Sequence, residues 1–429
     1  MNNFFKNLKK VFLFRFFKFV LSLVILSLFL GGCWNYQDLN KITVVAGMAV
    51  DKSKNKEYSL SLEVIVMESA GKDGKIKSSL VEGEGDTIRE ALEDINRKLS
   101  SKLYFGNMQT LVISKKLAET EQIREVLEGF FRDPNRRETV DVFISQEETA
   151  KKLITPDPKK DEIASYELKQ NNDKNSNESS NTFKRFTFEV YNELKRECGD
   201  LSLPMYRIVN QFEQQKEEKA ENKNEEEEIE GEDENSSEKQ KKDDKSSKKE
   251  EAKSLASDGC AIFSGNKMVG SLENECMPYF LFATNQIHSG TFSFAIDNSG
   301  ESDTATFSLM KNNTKLNYDY ENEKLVLYIN IDCDIGISEL SKYVNVLDEK
   351  EIEKFTKNIE TKLNSKVSET IKKTQELKSD VCGFGTKIYR SDKNLWKNIK
   401  KEWKEIYKNS EIRVLSKIRI VNTGFIIKY

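Results

Sequence analysis

The chain has 429 residues, and its 68 basic and 72 acidic side chains give a formal net charge of −4. This acidic balance excludes nucleic-acid binding through a basic face. The length predicts two or three domains. Hydrophobic residues make up only 37% of the chain, and this low share predicts solvated segments within it.

The N-terminal segment predicts a lipoprotein export signal. Five basic residues precede the apolar run Phe19–Leu30. This run is shorter than the roughly 20 apolar residues of a membrane span but has the length of a secretory h-region. It ends in Leu30-Gly31-Gly32-Cys33, which resembles the bacterial lipobox. We therefore expect removal of residues 1–32 by cleavage between Gly32 and Cys33, and a diacylglycerol on the Cys33 thiol.

Two alternatives to the lipoprotein signal are an ordinary signal peptide with an accidental cysteine and an uncleaved anchor.

Removing residues 1–32 takes the net charge from −4 to −9, because the segment holds five basic and no acidic residues. A mature chain this acidic is unsuited to binding an anionic membrane surface electrostatically, so membrane attachment would depend on acyl chains.

Residues 34–154 predict an N-terminal α/β domain. Its first helix opens at Thr87-Ile88-Arg89-Glu90, a capping-box pattern with Thr87 as N-cap, and Gly83–Asp86 is predicted to be the turn before it. Apolar runs and period-two alternation predict the strands. The predicted strands are Ile42–Val50, Tyr58–Glu68, Met108–Ser114 and Thr139–Ser145, and two further helices are predicted at Glu119–Phe131 and Glu147–Leu153.

A predicted linker, residues 155–182, leads to a middle domain at 183–289. The linker is rich in Lys, Asn, Ser and Asp. The middle domain is expected to contain a helix at Phe183–Cys198 and a strand at Leu203–Asn210. It is interrupted at 213–253, where almost all residues are charged or polar; this composition predicts a disordered, solvated insertion rather than a binding tail, since its charges are mixed.

Residues 290–429 predict an α+β C-terminal domain, because a run of strands precedes long helices. The whole chain is thus predicted to be α+β, with three mixed α/β domains after the signal peptide. The predicted C-terminal strands are Thr291–Ile296, Ala305–Lys311, Lys315–Tyr320, Leu325–Ile337 and Glu411–Val421, and the helices are Asp348–Lys378 and Asn394–Lys408.

Catalytic and cofactor motifs are missing from the sequence. The single histidine, His288, has no nucleophile motif before it, and Gly383-Phe384-Gly385 is too short for a phosphate loop. The cysteines after Cys33 lack C-x-x-C spacing, so we predict no metal, no cofactor and no enzyme activity. Most are expected to be buried small hydrophobes, with a disulfide from Cys198 to Cys260 or Cys276 left open. These five cysteines are Cys198, Cys260, Cys276, Cys333 and Cys382.

An arginine cluster is the one candidate contact surface. Arg132, Arg136 and Arg137 follow the end of a predicted helix on an otherwise acidic protein. They are interpreted either as turn residues that satisfy Asp133 and nearby carbonyls or as a partner-contact surface.

The ordered motifs of the mature chain resemble the Ger(x)C family, the lipoprotein C subunits of spore germinant receptors. Gly32–Leu39 resembles the family's G-C-W-D-x-x-E-[IL] opening, with Asn35 in place of Asp and Asp38 in place of Glu. Gln375–Gly385 resembles Q-x-x-x-x-D-x-x-G-[FL]-G. Further matching segments are Val45–Asp51, Glu84–Ala91, Leu103–Asn107, Phe131–Arg137, Ala261–Phe263, Lys267–Gly270, Leu272–Glu275, Trp396-Lys397 and Trp403.

This resemblance implies a non-enzymatic subunit, lipid-anchored to the outer face of the spore inner membrane. Its implied partners are a multi-pass B subunit and a membrane-spanning A subunit, and the complex rather than this chain would bind the nutrient. The role implied is scaffolding or signal transmission in germination. A solute-binding lipoprotein of an importer is the alternative; it would ordinarily show two similar lobes, which the sequence does not repeat.

Overall fold

The computed structural model describes most of the chain outside its N-terminus and its charged insertion. Contacts divide the chain into two compact units, Met1–Ile42 with Ser100–Lys102, and Thr43–Leu99 with Leu103–Tyr429. In the first unit, residues 12–23 form a helix, α1, with exposed side chains. The described residues are 12–23, 42–66, 76–120, 123–132, 136–157, 160, 162–210, 253–295, 304–321, 324–341 and 348–422.

A nine-stranded mixed sheet forms the larger part of the second unit. Its main path runs β3-β2-β1-β5-β6-β7-β8-β9, with β4 off that path. The central pairs from β1 to β7 are parallel, and the strands at both ends are antiparallel. The strands are β1 Ile42–Lys52, β2 Tyr58–Val66, β3 Lys77–Gly85, β4 Lys102–Tyr104, β5 Thr110–Ser114, β6 Asp141–Ser145, β7 Ser202–Asn210, β8 Lys253–Ser264 and β9 Lys267–Leu272.

The helices beside this sheet include the predicted capped helix, α2 (Ile88–Lys98). Thr87 Oγ1 accepts from the Glu90 amide at 3.1 Å, which confirms the predicted N-cap. Ile88, Leu92 and Ile95 are buried at helical spacing. The other helices beside it are α3 Lys115–Ala118, α4 Ile123–Phe131, α5 Ala164–Glu178 and α6 Thr187–Leu194, with a 3₁₀ turn at Ala150–Ile154. A 3₁₀ turn at Asn274–Cys276 leads into α7 (Met277–Ala283), which packs in the hydrophobic core of the C-terminal strands instead.

The predicted turn at Gly83–Asp86 is wrong over its first residues, because β3 continues to Gly85 as an edge strand. A Cβ at Gly85 would lie 2.4 Å from the Ala91 amide nitrogen. Glycine therefore lets α2 lie directly against the strand that precedes it.

The predicted linker at 155–182 is also wrong, since α5 occupies Ala164–Glu178. Its buried face is partly polar: Asn172 is fully enclosed and its amide oxygen accepts from Thr182 and from the Tyr206 hydroxyl. A helix that buries asparagine and serine has the composition of a linker, so apolar periodicity did not reveal it.

The predicted boundary between the N-terminal and middle domains divides a continuous sheet. β7, β8 and β9 extend the same sheet as β1, with β7 pairing in parallel with β6. The structure therefore does not separate residues 34–154 from 183–289. The predicted insertion at 213–253 lies outside the described residues, apart from Lys253, the first residue of β8.

The C-terminal part is a four-stranded sheet, ordered β10-β11-β12-β13, with helices that follow its central hairpin. The two strands predicted at Ala305–Lys311 and Lys315–Tyr320 are one strand, β11, which stays paired with β12 across two register shifts. The strands are β10 Thr291–Ala295, β11 Thr304–Glu321, β12 Lys324–Leu340 and β13 Glu411–Asn422.

One long helix, α8 (Glu349–Glu376), precedes three short ones. The side chain of Asp348 caps its N-terminus, and Phe355, Ile359 and Leu363 lie on its buried stripe. The helix predicted at Asn394–Lys408 is broken in two, and one helix before it was missed. The short helices are α9 Phe384–Ser391, α10 Lys393–Ile399 and α11 Trp403–Asn409. The predicted α+β class is confirmed.

Candidate functional site

The predicted acylation site and cleavage position, Cys33 and Gly32, lie outside the described residues. No helix within the described ranges is long and apolar enough to cross a membrane.

The arginine cluster separates into one buried and two exposed side chains. Arg136 is 8% exposed, and its guanidinium lies 4.4 Å from the centroid of the Phe105 ring and 4.7 Å from that of Phe130. Desolvated cation–π contacts of this kind are worth about 2 kcal/mol or more. Arg132 and Arg137 are exposed. Any partner-contact surface here is therefore reduced to those two residues.

Four of the five cysteines that the structure describes are buried packing residues. Cys198, Cys260, Cys276 and Cys333 are buried, as predicted, and all five described cysteines are free thiols, so the disulfide alternative is wrong. Burial raises the pKa of the Cys333 thiol to about 12. Thiols with a raised pKa carry little thiolate and are poor nucleophiles.

Buried carboxylates hold the N-terminal ends of two later helical segments. Asp51 accepts from the amides of Ala150 and Lys151, at 2.7 and 3.2 Å. Glu63 accepts from the amides of Ala164 and Ser165, at 2.9 and 2.7 Å. Burial raises the pKa of both carboxyl groups, and the amides oppose that shift. Their geometry is that of helix caps supplied from distant strands.

A second carboxylate arrangement encloses the glycine segment before α9. Asp380 Oδ1 accepts from the amides of Gly383 and Phe384, at 3.0 and 2.9 Å. Its Oδ2 accepts from the Gly385 amide at 2.6 Å and from Trp403 Nε1 at 3.1 Å. Burial raises the pKa of Asp380 to about 7, against the effect of these donors. The amides that would otherwise face an anion thus bind a carboxylate of the chain itself.

Glycine at position 385 is required by close packing. A Cβ there would lie 2.9 Å from Trp403 Nε1 and 3.0 Å from Trp396 Cη2. The two indole rings pack edge to face with centroids 5.5 Å apart, and both are buried. The two tryptophans therefore belong to the C-terminal hydrophobic core.

Asp200 connects this C-terminal segment to the loop between α6 and β7. Its Oδ2 accepts from the Asp380 amide at 2.8 Å, and its own amide donates to the Asp380 carbonyl at 3.1 Å. Its Oδ1 accepts from the Gly265 amide, at 2.8 Å, in the β8–β9 turn. One side chain therefore ties together three segments far apart in sequence. We call Asp200 with Asp380, Gly383, Gly385 and Trp403 the carboxylate node.

A cleft of about 810 Å³ lies beside the carboxylate node. Its walls come from the end of α5, the α6 region, β11 and α9. Cys198, Asp200 and Gly383 line it, and so does His288, whose side chain is exposed. Within the described residues, no group of three or more His, Cys, Asp or Glu side chains is placed to hold a metal ion.

Two family models match the chain in order. The Spore germination protein N-terminal domain matches residues 35–208, and the Spore germination B3/GerAC-like C-terminal domain matches residues 258–424. The chain belongs to this spore germination family. The carboxylate node draws its residues from both matched regions, with Asp200 in the first and Asp380, Gly385 and Trp403 in the second.

Relatives in this spore germination family align over nearly the full chain. Spore germination protein KC of Bacillus subtilis (strain 168) is 25% identical, over 94% of each chain. Spore germination protein GerQC of Bacillus cereus is 24% identical, over 94% of this chain and 97% of that protein. The crystal structure of the GerBC protein covers 88% of this chain and 97% of its own, with a TM-score of 0.52 and 16% identity, so the two share a fold.

Sequence reasoning found part of the node and missed the rest. The resemblance singled out Asp380 and the glycines through the motif Gln375–Gly385, and it also included Trp403. Gln375 Nε2 donates to the Tyr407 and Ser410 carbonyls, which explains the glutamine of that motif. Asp51 and Glu63 were not identified as caps, nor Asp200 as a link between segments, although Asp51 directly follows a predicted apolar strand. The sequence signal that could have identified Asp51 as a cap is a lone acidic residue at the edge of an apolar run.

Proposed function

We propose that this chain is a non-enzymatic, lipid-anchored subunit of a spore nutrient germinant receptor, acting in scaffolding or signal transmission. The observation that carries the proposal is the ordered match of both family domains, at 35–208 and 258–424. Named spore germination proteins that cover more than nine-tenths of the chain support it.

The non-enzymatic part of the proposal is supported by how the buried acids are used. Asp51, Glu63 and Asp380 each accept from at least two backbone amides, so they cap helices rather than face a substrate. General acid–base catalysis needs a titratable group within reach of a reacting atom. His288 has no thiol or hydroxyl hydrogen-bonded to it among the described residues.

The proposed partners and location rest on the resemblance to the spore germination family. We propose that a diacylglycerol on Cys33 holds the chain on the outer face of the spore inner membrane, beside a multi-pass B subunit and a membrane-spanning A subunit. The complex, and not this chain, would bind the nutrient. A solute-binding protein of an importer gains no support, because the nine-stranded and four-stranded sheets are not two similar lobes.

The experiment that tests the anchor is metabolic labelling with a radioactive fatty acid. Cys33→Ala should abolish lipid incorporation and leave the chain as an uncleaved or shed precursor, since only the thiol can carry the diacylglycerol. Cys382→Ala is the control and should label like the wild type. Labelling of Cys33→Ala at the wild-type level would place the anchor elsewhere.

A further inference from the structure

The cleft beside the carboxylate node carries an excess of positive charge on an acidic protein. Its lining contains six basic and three acidic side chains, against a net charge of −4 for the whole chain. The basic residues are Lys184, Arg185, Arg196, Lys315, Lys387 and Arg390.

The three acidic side chains of the cleft are already bound within the protein. Glu189 accepts from the Phe186 amide at 3.0 Å, and Glu193 forms an ion pair with Arg185 at 3.2 Å. Asp200 belongs to the carboxylate node. Each of the three therefore has at least one hydrogen-bond or ion-pair partner within the protein.

Half of the basic side chains remain available. Lys184 is held by Asp173 at 2.8 Å, Arg185 is held by Glu193, and Arg196 lies near Glu193 as well. Lys315, Lys387 and Arg390 have no carboxylate within 4 Å in the part of the chain that the structure describes. Lys387 is half-buried, and the other two are exposed.

The available cations come from two elements that meet at the cleft. Lys315 lies on β11, and Lys387 and Arg390 lie on α9 at a spacing of three residues, which places them on one helix face. The Tyr318 hydroxyl and the Ser391 hydroxyl, 2.9 Å apart, join β11 to α9. The two elements that carry these three residues are therefore joined to each other beside the cleft.

The chemistry of the cleft favours a chain of carboxylates over one compact anion. Phosphate sites are commonly built from free amides at a helix N-terminus. Here the amides of Gly383, Phe384 and Gly385 already donate to Asp380, so α9 offers no such cradle. The volume of 810 Å³ is in the range of small-molecule sites, about 300–1,000 Å³, but such sites are mostly apolar.

We propose that this cleft is a docking site for an acidic peptide segment of a partner protein, bound by Lys315, Lys387 and Arg390. Charge complementarity at a partly exposed surface gives an association that weakens with salt. The proposal is independent of the lipid anchor and of the receptor assignment.

The test is fluorescence anisotropy of a short labelled peptide of alternating Glu and Gly, with the full chain in detergent at low salt. The cleft variant is Lys315→Gln/Lys387→Gln/Arg390→Gln. The control variant, Lys350→Gln/Lys354→Gln/Lys357→Gln, removes the same charge from the exposed side of α8. We expect the cleft variant to bind about tenfold more weakly and the control variant to bind like the wild type.

Four results would overturn the proposal. They are no binding by the wild type, equal weakening in both variants, equal binding of a Gln–Gly peptide, and displacement by millimolar inorganic phosphate, which would indicate a compact-anion site. Phosphatidylglycerol vesicles are tested in parallel. Vesicle binding that is lost in the cleft variant, without peptide binding, would assign the surface to the membrane instead.

Discussion

Removing the Asp380 carboxylate should destabilise the protein strongly. In Asp380→Ala, the amides of Gly383, Phe384 and Gly385 and the Trp403 indole lose their common acceptor. A lost helix cap costs about 0.5–2 kcal/mol, and a buried unsatisfied donor costs about 1–3 kcal/mol. These costs share one site and do not add fully, so we expect a loss of about 3–5 kcal/mol.

The assay is thermal unfolding followed by calorimetry, with Asp392→Ala as the matched control. Asp392 also caps a helix, accepting from the Asn394 and Leu395 amides, but it is exposed. We expect Asp392→Ala to cost about 1 kcal/mol. At about 2–4 °C per kcal/mol, a loss of about 3–5 kcal/mol in Asp380→Ala should lower the Tm by about 6–20 °C. Equal Tm changes in the two variants would refute the argument that enclosure makes Asp380 important.

Three further predictions concern pH, the insertion and ligand binding. Burial raises the pKa of Asp141 to about 6, although the Lys169 ammonium lies 3.3 Å from its carboxylate. The stability that the protonated carboxyl provides is therefore lost as pH rises through 6, and urea unfolding should show wild type losing stability relative to Asp141→Asn between pH 4 and 7. A constant difference between the two proteins would contradict this. Replacing 213–252 with a short Gly/Ser linker should change the Tm by less than about 5 °C, since so polar a segment adds little to a core; a larger drop would show that it packs. A thermal-shift screen of the full chain against amino acids, sugars and nucleosides should find no stabilising nutrient, and a reproducible shift lost on a single cleft substitution would make this chain the sensor.

Local periodicity was enough to predict most strands and helices. The strands Tyr58–Val66 and Glu411–Asn422 lie where alternating apolar and polar residues predict them. The long helix Glu349–Glu376 lies where apolar residues recur at helical spacing. These hydrophobic periodicities involve residues only a few positions apart, so they can be recognised without knowledge of the fold.

The features that were missed depend on contacts between distant residues. α5 begins without a local cap, because Glu63, about a hundred residues earlier, supplies it. The strand ending at Gly85 resembled a turn because its glycines accommodate a helix. Asp200 and Asp380 are separated by 180 positions and hydrogen-bond each other directly, while Asp200 also accepts from Gly265 in the β8–β9 turn. No local sequence pattern predicts a hydrogen bond between residues so far apart in the chain.

The measurement that tests the receptor assignment most directly is affinity purification of the tagged full chain from detergent-solubilised spore inner membranes. If this chain is a receptor subunit, a multi-pass membrane protein and a second membrane-spanning protein should co-purify with it in fixed ratio. Strains lacking the chain should fail to germinate with one nutrient class. Recovery of the chain alone, with germination unchanged in its absence, would contradict the assignment.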